Sequence, residues 1–252
     1  MSCLLVGDSH LGSLRQALNA TRHSPEDARY AGIAVRAMGR GYLMRSAFFA
    51  DRGDHAEILD AELRTRVERV PPLDAAYDWI GISGPLNTGR LWRDPAFATF
   101  KPFPLHGGTP ISVATLRAAV EADVRRSIEF AEVVARSARV FVIESPWPFR
   151  ANRAVHANGA ATVQFVHRWY RDHVLRELER LGIATLEIDS DCVDGDGFMK
   201  ESYHHEKPTD RYHANTAFGR TMLDRVLQRF AGAGVPQAEG RRAGNAAGSS
   251  LA

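Results

Sequence analysis

A chain of 252 residues with 44% apolar and 25% charged residues has ordinary globular composition, and it is long enough to build one self-sufficient core. Its 32 Lys and Arg stand against 30 Asp and Glu, which excludes the strong basic excess of a dedicated nucleic-acid binder while leaving room for a local basic patch. No apolar run approaches the roughly 20 residues of a membrane span, and Cys3 and Cys192 by themselves make neither a disulfide framework nor a zinc site.

The first residues lack the basic start, long apolar stretch and small-residue cleavage site of a signal peptide, so a cytoplasmic protein is expected. Cys3 to Val6 reads as a short strand ending at Gly7, followed by helical spacing in Leu11, Leu14 and Leu18. Gly32 to Met38 reads as a second strand. Asp60 can cap a short helix through Leu63, Val67 and Val70, stopped by Pro71 and Pro72. Trp79 to Ser83 is a third strand. From Thr88 to Thr109 periodicity is lost, while Trp92, Phe97, Phe100 and Phe103 accumulate. A long irregular segment of that kind predicts a lid or substrate wall.

Thr109 and Pro110 predict the start of a long helix, with Thr as cap and the stripe Val113, Leu116, Val120, Val124 and Ile128. Val140 to Ile143 is a fourth strand. A second long helix carries Val163, Val166, Tyr170, Val174 and Leu178 and ends at Gly182. Ile183 to Ile188 is a fifth strand, and the last helix runs from about Asn215 to Phe230. Strands separated by helices predict an α/β fold, a parallel sheet covered on both faces. The domain is expected over 1–231. The Gly-, Ala-, Ser- and Arg-rich residues 232–252 predict a disordered tail.

In such a sheet, sites form at the carboxyl ends of the strands. Gly7-Asp8-Ser9-His10 follows strand one and precedes a helix, whose N-terminal N–H groups and dipole favour an oxyanion. Asp210 and His213 lie just before the last helix. Histidine suits the base that a serine nucleophile needs, and a carboxylate can fix its tautomer. Asn87 follows strand three within Gly84-Pro85-Leu86-Asn87, and Gly39-Arg40-Gly41 follows strand two; both places suit donors to a negative oxygen. Each signal is weak alone. Their joint placement around one sheet end is the informative observation.

With these residues the sequence resembles the SGNH hydrolase superfamily, or GDSL esterases, over about Leu4 to Phe230. The resemblance implies a three-layer α/β/α sandwich with a flavodoxin-like, parallel five-stranded sheet in the order 2-1-3-4-5. It implies ester hydrolysis through an acyl-enzyme on Ser9, with His213 as base and Asp210 orienting it. Ser9, Gly41 (or Gly39) and Asn87 would supply the oxyanion donors. His10 stands where Leu is common, and Thr88 follows Asn87 where Asp is usual. No cofactor or metal is implied. The partner would be a small-molecule ester, an acylated sugar or a lipid among them, and the same triad could pass the acyl group to an acceptor alcohol. Trp92 and Arg150 are candidate substrate contacts, Arg150 for an anionic group.

Two other classes compete. The same opening resembles that of metallophosphoesterases, with Asp8 and His10 as ligands and Asp51-Arg52-Gly53 further on. The Gly-Asn-His element of that family is missing. A non-catalytic binding module on the same fold is the other. The acidic stretch from Asp189 fails the calcium-loop pattern, with Val193 fifth, Asp194 sixth and Lys200 twelfth.

Overall fold

The computed structural model describes residues 2–22 and 27–230; the tail expected over 232–252 lies outside the described residues. Five strands form the central sheet: β1 (Cys3–Asp8), β2 (Ile33–Gly39), β3 (Trp79–Ser83), β4 (Val140–Ile143) and β5 (Ala184–Leu186). Their spatial order is 2-1-3-4-5, and every neighbouring pair is parallel. Four longer helices cover it: α1 (Leu11–Thr21), α2 (Val113–Ala135), α3 (Ala160–Arg180) and α4 (Thr216–Phe230).

Strand periodicity makes the three layers. Successive side chains point to opposite faces. Leu4 and Val6 of β1, with Val140 and Val142 of β4, pack with the apolar stripes of α2 and α3. Cys3 and Leu5, with Phe141 and Ile143, pack with α1 and α4. Strands buried on both faces must be apolar throughout, and β4 is Val-Phe-Val-Ile with all four residues buried. Fully burying one such side chain is worth about 1.5–3 kcal/mol.

The long helix α2 begins later than Thr109. Its cap is Ser112, whose hydroxyl accepts from the Thr115 N–H at 3.1 Å. Thr109–Ile111 instead pairs in parallel with Phe100–Pro102. Pro110 is tolerated in this short two-stranded piece, where a proline has no ladder on its far side to break. Three short antiparallel strands, Phe49–Asp51, Ala56–Ile58 and Arg69–Val70, form a second small sheet. They are too short to leave a periodic pattern in the sequence.

The 88–109 segment is fastened to the body. Trp92 and Phe97 are buried. Asn158 Nδ2 donates to the carbonyls of Trp92 (2.9 Å) and Asp94 (3.0 Å). Buried Lys101 Nζ donates to the carbonyls of Phe97 and Asn158. A buried amide and a buried ammonium that spend their donors on this backbone hold it in place.

Helices α1 and α4 touch backbone to backbone. A Cβ built on Gly219 would stand 2.1 Å from the Ser13 carbonyl oxygen. Gly219→Ala should therefore force the helices apart and cost about 1–3 kcal/mol, the scale of overpacking. Thermal denaturation should show a melting temperature lower by several degrees; an unchanged one would show that the crossing tolerates a methyl group.

Candidate active site

The carboxyl end of β1 is bent by two local features. The register between β1 and β2 shifts between Gly7 and Asp8, a bulge that re-aims the residues after it. Gly7 has φ +143°, and a Cβ there would lie 2.0 Å from the Ser83 carbonyl oxygen. Only glycine lets β1 press so closely on the end of β3. The chain then turns through Ser9 into α1.

Ser9 Oγ lies 3.0 Å from His213 Nε2. On the other side of the imidazole, Nδ1 lies 2.8 Å from Asp210 Oδ2. The His213 backbone N–H also donates to Asp210 Oδ1 at 3.1 Å, so one carboxylate holds both the ring and the turn that carries it. Burial alone would raise the Asp210 carboxyl; hydrogen bonds from the His213 side chain and N–H outweigh it and hold the group below the usual carboxylate range. With a proton on Nδ1 facing that carboxylate, Nε2 is the nitrogen able to accept a proton from Ser9.

Asp8 is fully buried behind the serine. It accepts from Ser83 Oγ (2.8 Å), Asn87 Nδ2 (2.7 Å) and the His10 N–H (3.1 Å). Burial raises its carboxyl, but neighbouring His10 and the hydrogen bonds from Ser83 and Asn87 prevail, and it stays below the ordinary range. Its oxygens are engaged internally, unlike those of the metal ligand that the metallophosphoesterase resemblance requires. Among the described residues no group of three or more His, Cys, Asp or Glu side chains is placed to hold a metal ion. The His10 ring lies 5.0 Å from that of His213, and burial pushes it down to about 4, so it is neutral at neutral pH.

Asn87 and Gly41 meet beside Ser9. A Cβ on Gly41 would stand 2.9 Å from Asn87 Nδ2 and 3.0 Å from Asp8 Oδ2. Gly41 opens a short 3-10 turn (Gly41–Arg45), so its N–H has no partner within that turn. Ser9, Gly41, Asn87 and His213 line one cleft of about 530 Å³. Gly39 lines an adjoining cavity of about 270 Å³ that also reaches Ser9.

Two residues singled out in the sequence lie elsewhere. Trp92 is 3% exposed and belongs to the core between the sheet and α2/α3. Arg150 binds Asp194 (3.0 Å) and Asp196 (2.8 Å) and lies over the Phe198 ring, away from the Ser9 cleft. The aromatics of the 88–109 segment do not wall the cleft, because they pack inward or stand apart from it. That segment instead contributes Arg90 and Arg93, joined by Arg40, Arg45, Tyr42 and Tyr212. Sequence reasoning passed over these. Arg40 lies between Gly39 and Gly41, and Tyr212 next to His213, where no spacing pattern marks either.

No family model and no curated protein sequence matches the chain. Solved structures do. A phospholipase A1 from Streptomyces albidoflavus NA297 is 15% identical and matches over 90% of this chain and 98% of its own, with a TM-score of 0.51. A GDSL-like lipase from Bacteroides thetaiotaomicron VPI-5482 is 12% identical over 90% of this chain and 85% of its own, with a TM-score of 0.51. An extracellular lipase from Streptomyces rimosus is 14% identical over 90% and 99%, with a TM-score of 0.50. The α/β/α fold is the one that these lipases have. No helix among the described residues is long and apolar enough to cross a membrane.

Asp8→Asn puts an amide in place of the acceptor of Ser83 and Asn87 and should cost about 2–3 kcal/mol in chemical denaturation. The folded Asp8 carboxyl titrates below its unfolded value. Its contribution is therefore whole above the unfolded pKa, roughly 4, and is lost as pH falls through the folded one. The stability gap between the native protein and Asp8→Asn should narrow on acidification from pH 6 to pH 3. A gap that widens would contradict the charged state assigned to Asp8.

Proposed function

We propose that the chain is a serine ester hydrolase of the SGNH superfamily, acting through an acyl-enzyme on Ser9. The observation that carries this reading is the continuous relay from Asp210 through His213 to Ser9, with spacings of 2.8 and 3.0 Å, opening into a cleft that Asn87 and Gly41 also line. The fold shared with lipases and a phospholipase supports it.

His213 Nε2 takes the Ser9 proton as Oγ attacks the ester carbonyl carbon. The carbonyl π electrons move to oxygen and give a tetrahedral oxyanion. Three donors are available to it: the Ser9 N–H, the Gly41 N–H and the second Nδ2 hydrogen of Asn87, whose first is spent on Asp8. Asp210 stabilises the imidazolium without taking its proton. As the oxyanion collapses, the bond to the leaving alcohol breaks and His213 protonates that oxygen. Water then enters, gives a proton to His213 as it attacks the acyl carbon, and on collapse of the second tetrahedral intermediate the Oγ–acyl bond breaks while His213 returns that proton to Ser9 Oγ, releasing the acid. The substrate is a small-molecule ester, with acylated sugars and lipid esters within the class.

Ser9 should be labelled by a fluorophosphonate, and Ser9→Ala and His213→Ala should abolish the label while remaining folded by circular dichroism. Folded native protein that takes no label would overturn the reading. Asn87→Ala should lower kcat on a phenyl ester about 10²-fold, the scale of one oxyanion donor. A change below about threefold would remove Asn87 from the oxyanion site.

A further inference from the structure

The Ser9 cleft holds charge that the relay does not use. Four guanidinium groups line it, and no Asp or Glu is among its lining residues. Two of them share a single acid. Asp123 takes Arg45 Nε on one oxygen at 2.8 Å and Arg90 Nε on the other at 2.9 Å. Arg90 also donates to the Tyr170 hydroxyl at 3.0 Å and is a fixed wall, its side chain 3% exposed.

The other two, Arg93 and Arg40, make no salt bridge among the described residues; Glu62, in the adjoining cavity, is the acid that acts on Arg40. Arg93 is half-buried. Its Nε donates to the Gly89 carbonyl at 2.6 Å, and its guanidinium lies 4.2 Å from the centroid of the Tyr212 ring. Those two contacts fix its plane and leave both terminal nitrogens, with their four N–H donors, without a hydrogen-bond partner among the described residues. A guanidinium held in that way is organised in advance for a forked pair of hydrogen bonds to an oxyanion. Arg40 lines the same cleft and hydrogen-bonds Tyr42. A concave wall lined by guanidinium groups and no carboxylate concentrates anions.

The position of Arg93 says which part of a substrate would bear it. Tyr212 adjoins His213, their ring centroids 4.9 Å apart. In the proposed reaction His213 protonates the leaving oxygen, so Arg93, stacked on Tyr212, stands beside the leaving alcohol. We infer that this cleft selects esters whose alcohol portion carries an anionic group, a carboxylate, sulfate or phosphate, held by Arg93 with Arg40. That it is an ester rests on the hydrolase reading above; the anion site does not.

The test uses Ser9→Ala protein, which cannot turn the ligand over. Calorimetry compares 4-acetoxybenzoate with its uncharged methyl ester. The anion should bind about tenfold more tightly, the scale of one charge-assisted pair. The preference should vanish in Arg93→Gln, return in part in Arg93→Lys, and shrink as salt rises from 20 to about 500 mM. Equal affinity for the two compounds, or a preference unchanged in Arg93→Gln, overturns the inference. So does a preference confined to monophenyl glutarate, whose charge lies on the acyl side. Turnover by the native protein separates the two readings. Anion-selective binding without turnover removes the hydrolase and leaves the anion site. Turnover without charge preference does the reverse.

Discussion

A buried carboxylate organises this molecule. Asp8 has no exposure to water, and an ionised group in that position is tolerated only when its hydrogen bonds are complete. The partners it recruits are the ones that give the sheet end its shape. Ser83 ends β3, Asn87 follows it, and the His10 N–H begins the turn into α1. Removing the charge would not merely loosen one residue. It would release the loop that holds Asn87 and the turn that presents Ser9, because both are fixed by demand from the same two oxygens. The closeness of β1 to β3 at Gly7 is the steric side of the same constraint.

Around that anchor the charges divide by burial. The carboxylates, Asp8, Asp123 and Asp210, each serve groups behind or beside the cleft surface. The guanidinium groups are those that reach the cleft. An almost neutral chain thereby presents a cationic cavity, with Asp123 sequestered beneath two of its arginines. A net-charge count averages over this arrangement. The local field follows depth and direction.

The sheet was legible because its three inner strands are buried apolar runs and its two edge strands, though half-buried, are short apolar-rich runs bounded by turn residues. Its order came from the resemblance, since periodicity carries no information on which strands are neighbours. Ser9, His213, Asp210, Asn87 and Gly41 were legible because each follows or precedes a recognisable element. Their mutual distances were not, and it is those that bring Ser9, Gly41, Asn87 and His213 to one cleft. The start of α2 is ambiguous in the sequence because Thr109-Pro110 and Ser112 both carry start signals, and only tertiary pairing of 109–111 with 100–102 decides between them. Trp92 and Arg150 were misjudged for a related reason. Residue type indicates what a side chain can bind, whereas Trp92 was claimed by the core and Arg150 by Asp194 and Asp196.

The contact at Gly219 reaches beyond packing. Ser9 stands two residues ahead of α1, and His213 three residues ahead of α4. The two helices that meet at Gly219 and Ser13 thus follow directly on the residues proposed as nucleophile and base, whose Oγ and Nε2 lie 3.0 Å apart. Folding and, in the proposed reaction, proton transfer then draw on one dimension of the molecule. A compensating substitution elsewhere in the core can restore melting temperature to a chain widened at this crossing. It cannot shorten the distance the proton must travel, so rescue of stability and rescue of rate would part company at this one glycine.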